Sequence, residues 1–398
     1  MGGCLVVAII VGMGLVYRQQ IERALIVATL FQGFEQYENF DRLEEIFPVA
    51  TLPPSNNPNI FPSGEPTELP AKFRYQAKTL NTAEFLSETD TSALLVLRDG
   101  LLAYENYWLT GGRETAWLSM SVAKSFISAL IGIAIEEGSI QSVADSVLDY
   151  APELEGSAYD GVTLKDVLQM SSGASWNEDY SDPMSDINRF ARIFALGGSL
   201  TDFTATLQRK NPPGTYHSYN SMDTQVLALI LVNATGRSIT DYMAEKLWEP
   251  MGAEYRAHWL LDSDGMEMAF GGLNATARDY AKLGELYRGG GSLNGRRVVP
   301  ADWVSDSLRP DSQHLLPGEN NPASSSSFGY GYQWWIPTGD SGEFLAIGVY
   351  NQFIYVDPSK NAVIVKLSAN SEYGTSADES SYRELETLEL FRAIASDL

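Results

Sequence analysis

The chain has 398 residues, 44% of them hydrophobic, enough to bury the core of one large domain in two lobes. With 51 acidic against 27 basic residues the formal charge is -24, which argues against a nucleic-acid partner because its phosphates would be repelled. The acidic excess is spread along the sequence, as on a solvated surface, and the single cysteine, Cys4, leaves no disulfide possible within the chain.

From the start, Met1 to Tyr17 carries no charged side chain, and Leu5 to Val16 is almost wholly apolar. At 17 residues the stretch sits at the lower edge for spanning a bilayer, and it lacks the basic start of a secretory signal. Residues 1–35 read as a membrane anchor or signal-like segment, with Ile21 to Phe31 as a second, interfacial helix. Arg18 and Arg23 follow the apolar stretch, which by the positive-inside tendency would keep the rest of the chain in the cytoplasm. Six prolines between Thr51 and Pro70 interrupt any helix, so residues 36–71 read as a linker or a surface strap ahead of a domain spanning 72–398.

Ala93 to Leu97 and Leu101 to Tyr107, joined by Arg98-Asp99-Gly100, carry a hairpin signal. Ser121-Val122-Ala123-Lys124 then opens an apolar stretch to Gly138, and at helical spacing it sets a hydroxyl and an amine one turn apart on one face. Phe126, Ile127, Leu130, Ile131 and Ile133 make this helix apolar nearly all round, so it is central, and it desolvates Lys124 near its start. Its first turn also offers free NH groups to an oxyanion. Pro213-Gly214 turns the chain into Tyr219-Asn220-Ser221 and an apolar helix from Thr224 to Val232. Gly348 to Val356 and Ala362 to Leu367 form a second hairpin, and Leu385, Leu388, Phe391 and Ile394 mark a last helix within 380–396. Strands at both ends around a helical middle predict an α+β fold. One antiparallel sheet, built from the two ends and flanked by helices, carries an inserted, mostly helical lobe, with the site between the lobes.

Ser-x-x-Lys followed downstream by Tyr219-Asn220-Ser221 resembles the class C β-lactamase-related serine hydrolases, which include β-lactamases, DD-peptidases, esterases and 6-aminohexanoate-dimer (nylon oligomer) hydrolases. Thr163 to Gly173, Gly271 to Asp279, Phe328 to Trp335 and Ile354 to Pro358 are similar to further segments of that family, in the same order. The resemblance covers roughly residues 75 to 395 and implies a β-lactamase/transpeptidase-like fold. It assigns Ser121 as the acylated nucleophile and Lys124 and Tyr219 as the proton-handling pair, without saying which is the formal base. A tyrosine beside an ammonium has its phenolate favoured. Ser221 stands where many relatives carry asparagine. The family's Lys-Thr-Gly or His-x-Gly strand is replaced by Ala346-Ile347-Gly348, so the second oxyanion NH, beside that of Ser121, falls to Val349 after Gly348.

The cation that relatives use to hold a substrate carboxylate is thereby lost. The Ala-x-Gly form looks more like the esterase and nylon oligomer hydrolase branches, in which the loop carrying Tyr180 lines the substrate pocket. No metal or organic cofactor is implied, and the expected partner is a small ester or amide. Relatives with such an N-terminus work in the periplasm, which places the catalytic domain outside, periplasmic or extracellular, despite Arg18 and Arg23.

Other hydrolase chemistries fit less well. No Gly-x-Ser-x-Gly nucleophile elbow occurs, and His217, His258 and His314 are not at metal-ligand spacing; His217 reads as a structural loop residue. The reading is an amidase or esterase acting through an acyl-enzyme on Ser121. The alternatives are a β-lactamase or DD-peptidase, and a catalytically silent, membrane-tethered binding protein.

Overall fold

Strand-forming runs from the two ends of the chain meet in one sheet. The computed structural model describes residues 26–27, 29–33, 35–376 and 379–398. The central sheet comprises β1 (Thr91–Arg98), β2 (Leu101–Tyr107), β3 (Gly329–Tyr330), β4 (Trp335–Ile336), β5 (Phe344–Gly348), β6 (Gln352–Asp357) and β7 (Ala362–Ser368). All neighbours are antiparallel, in the order β3-β4-β5-β6-β7-β1-β2. The join between the two ends is β7 on β1, with Val365 opposite Leu95.

The first hairpin turns at Asp99 and Gly100, with φ of 53° and 76°, the left-handed pair that matches strand twist. The second hairpin departs from expectation at its start. Gly348 to Val356 is not one strand, because Tyr350 and Asn351 take φ of 62° and 67° and turn the chain between β5 and β6. A bulky tyrosine seldom adopts that backbone, so the turn carries no sequence signature.

Both faces of the sheet are covered, which explains why β1, β6 and β7 are buried along almost their whole length. Four helices matter to the site: α1 (Ala123–Glu136), α2 (Ser221–Thr235), α3 (Ala277–Arg288) and α4 (Glu384–Ser396). Alternate residues of β1 serve different cores. Leu94 and Val96 pack with Leu388, Phe391 and Ile394 of α4, whereas Leu95 and Leu97 join Ala281 and Leu283 of α3. Gly284 lets α3 lie close to the sheet, since a Cβ there would stand 2.6 Å from Val363 Cγ1. α1 and α2 pack together in the helical lobe, each buried nearly all round.

A second, four-stranded sheet joins Val49–Leu52, Ala257–Leu260, Leu273–Ala275 and Trp117–Leu118. After Leu52 the proline-rich segment runs as a strap tied by its backbone: Asn59 NH donates to Gly252 O at 2.7 Å, and Gly64 NH to Leu102 O at 2.8 Å. The apolar stretch Met1 to Tyr17 lies outside the described residues. Of the interfacial helix expected over Ile21 to Phe31, the described part packs on the protein rather than presenting an apolar face: Leu30 is buried and Phe31 stacks on Tyr350 at 5.3 Å. Among the described residues no helix is long and apolar enough to cross a membrane.

Candidate active site

The chain enters the site through a sharp turn. Trp117–Leu118 pairs with Ala275 and Asn274, Ser119 NH donates to Leu273 O at 2.7 Å, and Met120 then takes a φ of 45°. A left-handed methionine costs on the order of 1 kcal/mol or more. It places Ser121 in a 3₁₀ turn, Met120–Val122, just ahead of α1 rather than on the expected α-helix.

Lys124 nevertheless falls one turn on and is 2% exposed. Its Nζ donates to Ser121 Oγ at 2.9 Å, to Ser221 Oγ at 3.1 Å and to Phe270 O at 2.9 Å. Burial pushes its pKa down to about 7, against the opposing pull of Glu178. Near neutral pH the amine is therefore free in a large share of molecules and able to accept a proton from Ser121.

Ser221 opens α2, whose cap is Asn220. Ser221 Oγ donates to Glu178 Oε1 at 2.6 Å and its NH to Oε2 at 3.2 Å, so the carboxylate sits on the positive end of α2. Tyr180 donates its hydroxyl to Glu178 Oε1 at 2.8 Å, and the Trp176 indole NH reaches Oε2. A polar chain thus runs from Ser121 through Lys124 and Ser221 to Glu178.

Tyr219 stacks on Trp335 at 5.1 Å, with its ring centre 5.0 Å from Lys124 Nζ. The phenolate expected beside an ammonium is not what this environment favours. Burial, Tyr330 and Glu178 raise Tyr219 well above the usual phenol range, outweighing the hydrogen bond with Ser121, so it rests as a neutral phenol.

The end of β5 passes directly over the Ser121 turn. A Cβ on Gly348 would stand 2.6 Å from Ser119 O and 3.0 Å from Ser121 N, so only glycine fits, and Val349 follows it at the site. Two hollows open at Ser121 and Val349, with Tyr180 between them. One, of about 160 Å³, is apolar and includes Met120, Phe190, Phe194 and Phe270. The other, of about 380 Å³, is lined by Tyr219, Trp335 and three carboxylates, Glu178, Glu379 and Glu384. Burial and the neighbouring Glu384 and Glu386 push Glu379 up to about 8.

All seven residues singled out in the sequence, Ser121, Lys124, Tyr219, Ser221, Tyr180, Gly348 and Val349, are brought together here. Glu178 was missed. It stands two residues before Tyr180, and in an extended loop alternate side chains point the same way, so that spacing was a usable signal. The Phe270 carbonyl carries no side-chain signal at all. His217 is buried with Nδ1 3.1 Å from Ser324 Oγ, and burial lowers its pKa to about 3, consistent with a structural residue. Among the described residues no cluster of three or more His, Cys, Asp or Glu side chains could hold a metal ion.

The β-lactamase family model matches residues 86–389. The chain belongs to the β-lactamase family. Within it, the chain is 33% identical over 337 residues to a 6-aminohexanoate-dimer hydrolase of Paenarthrobacter ureafaciens, covering 83% of this chain and 84% of the relative. A solved Bacillus anthracis structure, provisionally named a 6-aminohexanoate-dimer hydrolase, superposes with a TM-score of 0.79 at 25% identity, over 91% of this chain and 95% of that one. A family VIII carboxylesterase shares the fold at a TM-score of 0.58 and 15% identity, over 79% and 95% of the two chains. This β-lactamase-family chain is a serine hydrolase with the α+β fold expected from its sequence.

Proposed function

We propose that this protein cleaves linear amides or esters through an acyl-enzyme on Ser121, rather than β-lactams or D-alanyl peptides. The observation that carries this reading is the lining of the open hollow: the Glu178 carboxylate and two further carboxyl groups, Glu379 and Glu384, with no lysine or arginine to pair a substrate carboxylate. A substrate carboxylate would be repelled there, whereas a neutral or amine-bearing substrate would not.

In this reading Lys124, as the free amine, takes the Ser121 proton while Oγ attacks the carbonyl carbon. The oxyanion rests against the NH groups of Ser121 and Val349, which cost no reorganisation when charge develops. Tyr219, a neutral phenol, donates to the departing nitrogen or oxygen and regains its proton from Lys124. Water then deacylates Ser121 by the same groups in reverse. Ser221 and Glu178 hold the Lys124 amine in place, and Tyr180 walls the substrate.

The test is a panel of a nitrophenyl ester, hexanoyl nitroanilide as a neutral linear amide, a chromogenic cephalosporin and a D-alanyl-D-alanine peptide, with Ser121→Ala as control. Turnover of an ester or linear amide at least a hundredfold above the β-lactam and the peptide is expected. A preference for either of the latter would overturn the reading.

The charge-free stretch Met1 to Tyr17 supports attachment of the chain to a membrane; the outer side for the catalytic domain rests on the family resemblance, against the tendency of Arg18 and Arg23. The full chain should then sediment with membranes and be open to protease added outside; recovery of the intact chain in the soluble fraction would refute it.

A further inference from the structure

The two hollows that meet at Ser121 have opposite chemistry, and this assigns the two halves of a substrate. Tyr219 and Glu178 line only the acidic hollow. On the acyl-enzyme reading given above, the leaving atom must lie where Tyr219 can protonate it, so the leaving group occupies the acidic side and the acyl chain the other. That other side has no charged residue in its lining.

We propose that the acyl half of the substrate is an uncharged aliphatic chain of about six carbons, seated in the apolar cavity behind Ser121, and that the N-terminal segment forms part of its wall. The volume, about 160 Å³, is close to that of an apolar cavity that stays dry and admits a benzene-sized guest, roughly six carbons. Its aromatic side is Phe190, Phe194 and Phe270; its N-terminal side is Leu30 and Phe31. Those two are fixed in place rather than loosely apposed. Asn39 Nδ2 donates to Leu30 O at 2.9 Å, and Phe31 packs edge-on to Phe40 at 5.4 Å as well as on Tyr350. An acyl chain ending in an ammonium would leave that charge unpaired among phenyl rings, so the cavity discriminates against it.

The experiment follows acylation of Ser121 in the full chain by intact mass, using nitrophenyl esters from acetyl to decanoyl and the 6-aminohexanoyl ester. Acylation should quicken about fourfold per methylene up to hexanoyl and then decline, with the 6-aminohexanoyl ester at least tenfold slower than hexanoyl. Phe194→Ala should move the optimum to longer chains; Phe194→Leu, a milder change, should move it the same way if the alanine variant does not fold. A flat profile, a preference for the aminoacyl ester, an unmoved optimum or no acylation by any ester would overturn the inference. Labelling of Ser121 by a fluorophosphonate, run alongside, separates the two levels. Labelling without the chain-length preference refutes this assignment alone, and absence of labelling refutes the serine-hydrolase mechanism itself.

Discussion

Glu178 accepts the Ser221 hydroxyl at 2.6 Å, and Ser221 in turn accepts from Lys124 at 3.1 Å, so a carboxylate stands one hydroxyl away from the amine proposed as the base. Its charge favours the ammonium form and opposes the burial that lowers the Lys124 pKa to about 7. The proposed mechanism needs the free amine, so kcat/KM should rise with pH along a limb centred near 7. Glu178→Gln removes the opposing charge and should move that limb to lower pH, whatever it does to the maximal rate. A pH–rate profile of wild type and variant on one ester checks this; an unmoved limb would show that Lys124 is not the group being titrated.

Gly348→Ala tests the contact between β5 and the Ser121 turn. The added methyl would meet Ser119 O at 2.6 Å and Ser121 N at 3.0 Å, forcing apart the two segments that carry the proposed oxyanion donors. A loss of about a hundredfold in kcat, the scale of one lost oxyanion donor, is expected with the fold retained by circular dichroism. Full activity in this variant would remove Val349 from the mechanism.

Because Tyr219 rests as a neutral phenol, the role proposed for it is that of an acid towards the leaving atom. Tyr219→Phe should then cost about 10² to 10⁴ in kcat/KM on amides, whose nitrogen must be protonated, and much less on nitrophenyl esters, whose leaving phenolate needs no proton. Equal losses on both substrate types would point to Tyr219 as the base instead.

Asp223 lies beneath the site, where Oδ1 accepts from Ser172 at 2.7 Å, Asn220 at 2.9 Å and Tyr159 at 3.0 Å, while Oδ2 has no partner. Burial pushes its pKa up to about 7 from 3.8, outweighing the Ser172 and Tyr159 hydrogen bonds. Between those values the folded protein keeps a proton that the unfolded chain has lost. Stability contributed by this group is therefore full below about pH 4 and falls as pH rises towards 7. Asp223→Asn should flatten that decline, a difference of order 1 kcal/mol or more. Melting temperatures of both proteins between pH 4 and 7.5 give the answer, and parallel curves would contradict it.

Ser121, Lys124 and Tyr219 were legible because their spacing and flanking motifs lie in short continuous stretches. The sheet was legible for a similar reason, since apolar runs of strand length mark both ends of the chain. Glu379 and Glu384 were not, because the fold brings them to Ser121 from 258 and 263 residues away without a local pattern, whereas Glu178 stood at a usable spacing from Tyr180 that was not followed. The state of Tyr219 was misjudged on a pairwise argument with Lys124; its burial and the charge of Glu178 decide the matter, and neither is visible before folding. The turn at Tyr350 and Asn351 was hidden by Tyr350, whose usual backbone preference points elsewhere.

The pairing of β7 with β1 has a consequence for how the enzyme comes into being. These neighbours are separated by more than 250 residues of chain, so loop closure over most of the molecule precedes their contact, and such distant pairing is slow. β5, which carries Gly348 past Ser121, is also made late. A partly synthesised chain therefore holds its serine and lysine early but has neither the strand that completes the site nor the sheet that supports it. Catalytic competence therefore waits until the chain has been made through Ser368 and β7 has joined β1.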